Sequence, residues 1–195
     1  MKDFIKNNYF SDYFVNDLIY DDTEVVFVLE SPHTQEVKNG YPVAGKSGKD
    51  MSKVLFEDEN LKKESFGKLI FNKQISDFGI LNVSNIPLQK SAYKNQDDEI
   101  FRDFELIRQN PKLRKKECLL NNTIRTIQSD FKNRLELHKD KKIVLCGAFV
   151  QNIFKVTFPH ANFKDIIEVP HPSFNNWTKK KYEQNIQELL EFIKC

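Results

Sequence analysis

The chain has 195 residues, of which 39% are hydrophobic and 30% charged, and its net charge at pH 7 is +2. These values predict one globular domain over residues 1–195 and exclude a molecule that is basic over its whole surface. No apolar run approaches the roughly 20 residues of a membrane span, and the N-terminus lacks a signal-peptide core, so we expect a cytoplasmic protein without a membrane partner. A monomer is also expected. Three cysteines, Cys118, Cys146 and Cys195, are too few for a disulfide framework or a four-thiolate metal cluster.

Four stretches are predicted to contain strands, and the first, residues 23–29, has the continuous apolar, β-branched pattern of a strand covered on both faces. The second, within residues 78–87, is a buried strand that runs into a polar loop; the third, within 141–149, has Gly147 at its end; and the fourth, within 164–174, ends in Pro-His-Pro-Ser. The residues that stand out at the ends of these strands are Glu30, Asn82, Gly147 and His171.

Helical patterns lie between and around the strands. Met51, Val54 and Leu55 are spaced as in a helix beginning near Lys49, and a short helix is predicted after Gly147. One or two helices are expected within residues 1–20, one before Pro111, a long amphipathic one after it, and a surface helix along Ile186, Leu189, Leu190 and Ile193. Strands that alternate with helices predict an α/β fold with a parallel sheet between helices, and ligands of such sheets bind at the carboxyl ends of the strands.

Glu30 is the first polar residue after the first predicted strand. A carboxylate in this partly buried position has a raised proton affinity and can act as a base towards water. Pro32 fixes the turn that follows. A carboxylate that caps a turn or pairs with a lysine is the structural alternative.

Three of the six glycines, Gly40, Gly45 and Gly48, lie in one loop. Gly45 and Gly48 would allow backbone N–H groups to approach an anion, and the N-terminus of the next helix would add its dipole. The spacing is not that of a Walker loop. A simple surface turn explains the glycines equally well.

His171 lies between Pro170 and Pro172, which restrict its backbone. An imidazole held in this way can donate a hydrogen bond to developing negative charge. Ser173 could contact a phosphate or close a turn. A histidine without a chemical task remains an alternative at this position.

Aromatic and cationic residues follow that segment. Phe174 and Trp177 precede three lysines at positions 179–181. Aromatic side chains beside a cationic run suit nucleic acid, as a wedge or stacking surface with phosphate contacts. A solvated helix start is the alternative.

The carboxamide of Asn82 could read the edge of a base, because it has both a donor and an acceptor. It could also tie two loops together. His33, His138 and His160 have no Cys or His partner at metal-binding spacing, so no metal site is predicted.

The order of these segments is more specific than any one of them. "LESPH", "GYPVAGKSGKDMSKVL", "ILNVSN", "IVLCGAFVQNIF" and "PHPS" together resemble the uracil-DNA glycosylase superfamily, most of all its family-4 branch. The resemblance covers about residues 23–190. It implies a three-layer α/β/α sandwich with a central four-stranded parallel sheet.

The resemblance also implies roles for individual residues. Glu30 matches the glutamate that activates water, His171 the histidine that stabilises the departing base, and Asn82 the asparagine that hydrogen-bonds the base. Phosphates on either side of a flipped nucleotide would be contacted at Ser31, Pro32, Gly45, Ser47, Gly48 and Ser173. Phe174, with Trp177 after it, matches the loop that wedges into the duplex.

Four departures from the family-4 pattern alter these expectations, and the first is a wedge that reads Phe-Asn-Asn-Trp and is not aliphatic. The four cysteines of its iron–sulfur cluster are missing, so no cofactor is predicted. Val43 stands where that branch has a phenylalanine that stacks on uracil, and His33 stands where it usually has glycine. Both would line the base pocket, and a valine would not fully replace stacking that contributes about 1–3 kcal/mol.

These observations predict a monofunctional glycosylase that removes uracil or another altered base from single- or double-stranded DNA. A member of the same fold that binds nucleic acid or nucleotides without catalysis is the first alternative. An unrelated α/β hydrolase is the second, and it lacks the Gly-x-Ser-x-Gly elbow of that class.

Overall fold

A computed structural model of the chain describes residues 8–94, 99–109, 122–160 and 162–194. Its centre is one four-stranded sheet in the order β2-β1-β3-β4, and every neighbouring pair of strands is parallel. The strands are β1 (Val25–Leu29), β2 (Phe78–Asn82), β3 (Lys142–Cys146) and β4 (Asp165–Val169). The predicted fold class, with four parallel strands, is confirmed.

Nine α-helices are found in the described residues. They are α1 (Asn8–Ser11), α2 (Thr34–Asn39), α3 (Lys46–Leu55), α4 (Glu59–Lys63), α5 (Phe66–Phe71), α6 (Glu99–Gln109), α7 (Asn122–Leu135), α8 (Ala148–Thr157) and α9 (Glu183–Lys194). Short 3₁₀ segments cover Lys90–Ala92, Glu136–His138, Ser173–Thr178 and Lys180–Tyr182.

Helices cover both faces of the sheet, because alternate side chains of each strand point to opposite faces. On β1, Val26 and Val28 join a cluster that includes side chains of α6, α7 and α8. Val25, Phe27 and Leu29 join a second cluster that includes side chains of α3, α5 and α9. The molecule therefore has the three layers that the sequence predicts.

Some predicted boundaries differ from those observed. The stretches 78–87 and 164–174 contain more than a strand: β2 ends at Asn82, where the polar loop begins, and β4 ends at Val169, before the Pro-His-Pro-Ser segment. The helix before Pro111 is α6, and α7 is the amphipathic helix after it. Residues 1–7 and 110–121, and with them Cys118, lie outside the described residues, as does Cys195.

The register of the strands places the unusual residues at one edge. Leu29 pairs with Asn82, so Glu30 lies immediately beyond that pair. The N–H of Gly147 donates to the carbonyl of Val169 at 2.8 Å, and His171 follows two residues later. Within the described part of the chain, no helix has the length and apolar character needed to cross a membrane.

Candidate functional site

A pocket of about 500 Å³ opens at the carboxyl edge of the sheet. Most of the residues singled out in the sequence line it: Glu30, Ser31, His33, Val43, Gly45, Ser47, Asn82, His171, Ser173 and Phe174. Three of the predicted contact residues, Pro32, Gly48 and Trp177, lie outside its lining. The tertiary structure thus brings together residues that are spread over more than half of the chain.

Glu30 forms an ion pair at the mouth of β1. Nε of Arg108, on α6, donates to Oε1 of Glu30 at 2.6 Å, and the two side chains are 27% and 19% exposed. The carbonyl of Glu30 accepts from the N–H of Ser84 at 3.1 Å, which fixes the main chain at the end of the strand. The carboxylate is therefore paired with an arginine, whereas the structural alternative considered from the sequence was a lysine.

Arg108 itself lines the pocket and was missed in the sequence. It is separated from Glu30 by 78 residues, and nothing in an amphipathic helix pattern indicates that this residue faces the end of a strand. Other polar residues of the lining that the sequence did not indicate are Gln35, Glu36, Lys46 and Gln89.

His171 is held as a neutral imidazole. Burial lowers its pKa below the usual 6.5, with the Glu30 charge opposing this shift and the Arg108 charge adding to it. The N–H of Ser173 donates to Nδ1 of His171 at 3.1 Å, and Oγ of Ser173 lies 2.8 Å from the same nitrogen. Because Nδ1 accepts from an N–H, the single proton of the neutral ring is assigned to Nε2.

A glycine makes room for this histidine. Gly147, between β3 and α8, has φ +92°, a conformation that side chains rarely adopt. A Cβ added there would lie 2.7 Å from Cβ of His171. The close approach of the two chain segments therefore depends on the missing side chain at this position.

Asn82 presents an amide to the pocket while its backbone is held from behind. The residue is 3% exposed, and its carboxamide has no hydrogen-bond partner among the described residues. Its N–H donates to Oδ1 of Asp17 at 3.3 Å, and its carbonyl accepts from Nη1 of Arg134 at 2.9 Å. The carboxamide of Asn82 is thus available to a ligand, because Asp17 and Arg134 hold the backbone of this residue without using its side chain.

The loop before α3 is packed more closely than the sequence indicates. Val43 is 3% exposed and has φ +54°, which is strained for a β-branched residue. A Cβ at Gly48 would lie 2.0 Å from the carbonyl oxygen of Val43, so a glycine is needed for the loop to lie against the helix.

The observed start of α3 changes the expectation for Gly48. The helix begins at Lys46, three residues earlier than predicted, and the N–H of Gly48 donates to the carbonyl of Gly45 at 3.1 Å. Gly48 therefore packs the loop, and its N–H is not free for a phosphate. The N–H groups of Lys46 and Ser47, in the first turn, have no partner within an α-helix, and both residues line the pocket.

Pro32 and Ser31 shape the turn after Glu30. Pro32 is buried and has no N–H, so it cannot donate to a phosphate, and its expected phosphate contact is replaced by a structural role. Oγ of Ser31 accepts from the N–H of Leu88 at 3.2 Å. His33 is exposed, and its N–H donates to Oε2 of Glu36 at 2.9 Å at the start of α2.

Phe174 and Trp177 have opposite environments. Phe174 is 84% exposed, and both it and Asn175 have positive φ, 58° and 56°. Trp177 is 3% exposed, its Nε1 donates to the carbonyl of Pro170 at 2.8 Å, and its ring centroid lies 6.3 Å from that of Phe27. The expectation that Trp177 is part of a wedge is therefore corrected: it anchors the loop that exposes Phe174.

Within the described residues, no three His, Cys, Asp or Glu side chains are grouped as metal ligands would be. Cys146 lies in β3, and burial raises the pKa of its thiol, so it is an inert core residue.

A family model of the uracil DNA glycosylase superfamily matches residues 17–194 of the chain. The chain therefore belongs to this superfamily, as the order of its motifs indicates. Membership indicates a hydrolase that acts on DNA in base excision. A search of curated proteins found no match to the chain.

Proposed function

We propose that the protein is a monofunctional DNA glycosylase, which hydrolyses the N-glycosidic bond of uracil or another altered base flipped out of DNA. The observation that carries the proposal is the convergence of Glu30, Asn82 and His171 in one pocket at the carboxyl edge of the sheet. The three groups match the needs of the reaction, which are a base for water, a group that reads the base, and a donor to the departing anion.

The chemistry divides between two of these groups. Breaking the glycosidic bond leaves cationic character on the sugar and places the bonding electron pair on the base. The water oxygen would bond to the anomeric carbon while Glu30 accepts a proton from that water. The negative charge of the carboxylate would also stabilise the cationic sugar. Nε2–H of neutral His171 would donate to the base as it gains negative charge.

Recognition of the flipped nucleotide would come from the residues around this centre. The first turn of α3, at Lys46 and Ser47, has the N–H groups and the dipole that favour a phosphate. The exposed ring of Phe174 is suited to fill the gap left in the duplex, which would offset part of the few kcal/mol that flipping costs.

The lining of this pocket differs from that of a family-4 site and favours a base other than uracil. Val43 offers no aromatic face for stacking, and His33 and Gln89 add hydrogen-bonding groups to the lining. Such a lining favours a more polar altered base, so the closer likeness to family 4 is proposed for the mechanism and not for the substrate.

An excision assay tests the proposal. Oligonucleotides with one uracil, hypoxanthine, xanthine or oxidised base, single-stranded or in a duplex, would be incubated with the protein and cleaved with alkali at abasic sites. We expect excision of at least one base, and a loss of about 10²–10⁴-fold in Glu30→Gln with DNA affinity nearly unchanged.

Glu188→Gln is the matched control for the charge change, because Glu188 lies on α9 outside the pocket lining. DNA binding without excision of any base would contradict the proposal and favour the non-catalytic alternative. Equal rates in wild type and Glu30→Gln would remove Glu30 from the mechanism.

A further inference from the structure

The carboxylate of Glu30 is restrained on one side only. Oε1 accepts from Nε of Arg108 at 2.6 Å, within a pair whose side chains are both less than one-third exposed. Among the described residues, Oε2 of Glu30 has no hydrogen-bond partner. A charge-assisted bond of this length is among the stronger ones in proteins, so it selects one orientation of the carboxylate.

Arg108 is itself held in place by its neighbours. Its Nη1 lies 3.4 Å from Oε2 of Glu105, one turn earlier on α6. Oε1 of Glu105 accepts from the N–H of Lys90 at 3.0 Å, and Oε2 also accepts from Nε2 of Gln109 at 3.0 Å. A chain of contacts therefore runs from the loop after β2 through α6 to the carboxylate at the end of β1.

We propose that Arg108 is a positioning residue for base excision, an inference that rests on the proposed glycosylase function. Arg108 holds Glu30 through Oε1 and leaves Oε2 for the attacking water. Without this bond the carboxylate would rotate among several orientations, of which few present an oxygen to water. Small displacements of a catalytic group lower rates by as much as about 100-fold, so the loss of Arg108 should slow the chemical step.

This role predicts a specific pattern in single-turnover kinetics on whichever base the wild type excises. Arg108→Gln should slow excision by about 10- to 100-fold, with DNA affinity changed less than about twofold. Arg108→Lys should recover part of the rate, because an ammonium can pair with Oε1 but lacks the planar fork that also reaches Glu105. Arg102→Gln, an exposed arginine on the same helix, is the matched control and should behave as wild type.

A double variant separates action through Glu30 from independent action. In the Glu30→Gln background, Arg108→Gln should cause no further loss of rate, because the carboxylate that it positions is gone. Losses that multiply in the double variant would overturn the inference.

The other outcomes overturn it in distinguishable ways. A lower affinity and a salt dependence reduced by about one ion, with an unchanged rate, would make Arg108 a phosphate contact. Faster excision in Arg108→Gln would make the ion pair inhibitory. Excision by the wild type that is unchanged in Arg108→Gln would overturn the positioning role alone, whereas a wild type that excises no base would overturn the proposed function as well.

A measurement on the free protein tests the contact without any activity. The ¹⁵N–¹H resonance of Arg108 Nε should be resolved and slow to exchange, and it should shift in Glu30→Gln while the resonance of Arg102 does not. An Arg108 resonance that is unaffected by Glu30→Gln would overturn the contact on which the inference stands.

Discussion

At the scale of single residues, the protonation of His171 is decided by its surroundings. Burial lowers its pKa, the backbone N–H of Ser173 occupies Nδ1, and the facing charges of Glu30 and Arg108 oppose each other. The ring is therefore a neutral donor through Nε2, which suits a leaving base that gains negative charge without needing full protonation.

The pH dependence of excision should reflect this neutral state. Turnover should not fall as the pH rises through 6.5, because His171 has already lost its second proton below that pH. The rate of excision between about pH 6 and pH 8.5 checks this expectation. A decline with a midpoint above 6.5 that is absent from the residual activity of His171→Asn would show that the imidazolium is needed.

The stability of the protein should also depend on pH because of the lowered pKa of His171. The unfolded chain binds a proton at His171 more readily than the folded chain, so the free energy of unfolding falls as the pH drops below 6.5 towards the lowered pKa of the folded state. Urea unfolding of wild type and His171→Asn at about pH 8 and about pH 5.5 measures this difference. The pKa of His138 is also lowered by burial, but both proteins carry that residue, so its contribution cancels.

At the scale of elements, the site depends on how closely segments approach one another. The turn from β3 into α8 passes the loop that carries His171, and Gly147 is the point of contact. The loop before α3 rests on the helix in a similar way through Gly48 and Val43. Backbone conformation at these crossings therefore contributes to where the residues of the pocket lie.

Gly147→Ala should therefore reduce both stability and activity. The alanine would have to adopt φ +92°, and its Cβ would lie 2.7 Å from Cβ of His171. The free energy of unfolding should therefore fall by about 1–2 kcal/mol or more, and the imidazole should be displaced. Thermal unfolding and single-turnover excision measure the two effects. Gly40→Ala is the control, because it has a similar positive φ, +76°, but open space around the new Cβ.

The control should lose stability without losing turnover of the folded protein. A Gly147→Ala variant that keeps its full rate of excision would show that His171 can move without consequence. Equal losses of rate in the two alanine variants would assign the effect to stability alone.

At the scale of the whole molecule, one polar network joins distant parts of the chain behind the pocket. Nη1 of Arg134, on α7, donates to Oδ2 of Asp17 at 2.8 Å and to the carbonyl of Asn82, while Nη2 donates to the carbonyl of Val83 at 3.0 Å. Nδ2 of Asn85 donates to Oδ1 of Asp17 at 3.0 Å. Burial raises the pKa of Asp17, and the Arg134 charge opposes that shift.

Arg134→Met should destabilise the protein by about 2–3 kcal/mol, because it removes the guanidinium that donates to Oδ2 of Asp17, to Oδ2 of Asp130 and to two carbonyls. Breaking a fully buried ion pair costs about 3–5 kcal/mol. The loss expected here is at or below the low end of that range, because the side chains of Arg134 and Asp17 are both about one-fifth exposed. Thermal unfolding measures the loss, expected at about 2–4 °C for each kcal/mol. Lys132→Met, a half-exposed lysine on the same helix, is the control and should change stability little.

The network should also affect the site through Asn82. Base excision by the Arg134→Met variant should slow at temperatures where the protein is still folded, because the backbone of Asn82 loses one of its two supports. Asp17→Asn combined with Arg134→Met should cost less than the two changes added together, since both partners of the Asp17–Arg134 ion pair are then replaced. Additive losses of stability would show that the network does not stabilise the protein through the Asp17–Arg134 ion pair.

Much of the fold follows from local pattern in the sequence. Continuous apolar runs predict β1 and β2, because a strand covered on both faces has no polar positions, and the helical stripes predict α3 and α9 for the corresponding reason. In β4 most residues are exposed or half-buried, and Asp165 and Glu168 interrupt the apolar pattern. Helix starts are less accurate, as at α3, which begins at Lys46 and not near Lys49, because contacts of the preceding loop and not composition decide where the first turn forms.

The order of the motifs in the sequence by itself determined the superfamily, and the polar residues Glu30, Asn82 and His171 at or just beyond strand ends determined where a pocket should lie. Only the tertiary structure decided that Arg108 pairs with Glu30, that Trp177 is buried while Phe174 is exposed, and that the N–H of Gly48 is already used. The physical reason is that these facts depend on distances between residues far apart in the chain, whereas the sequence pattern records the burial of each segment and not what it packs against.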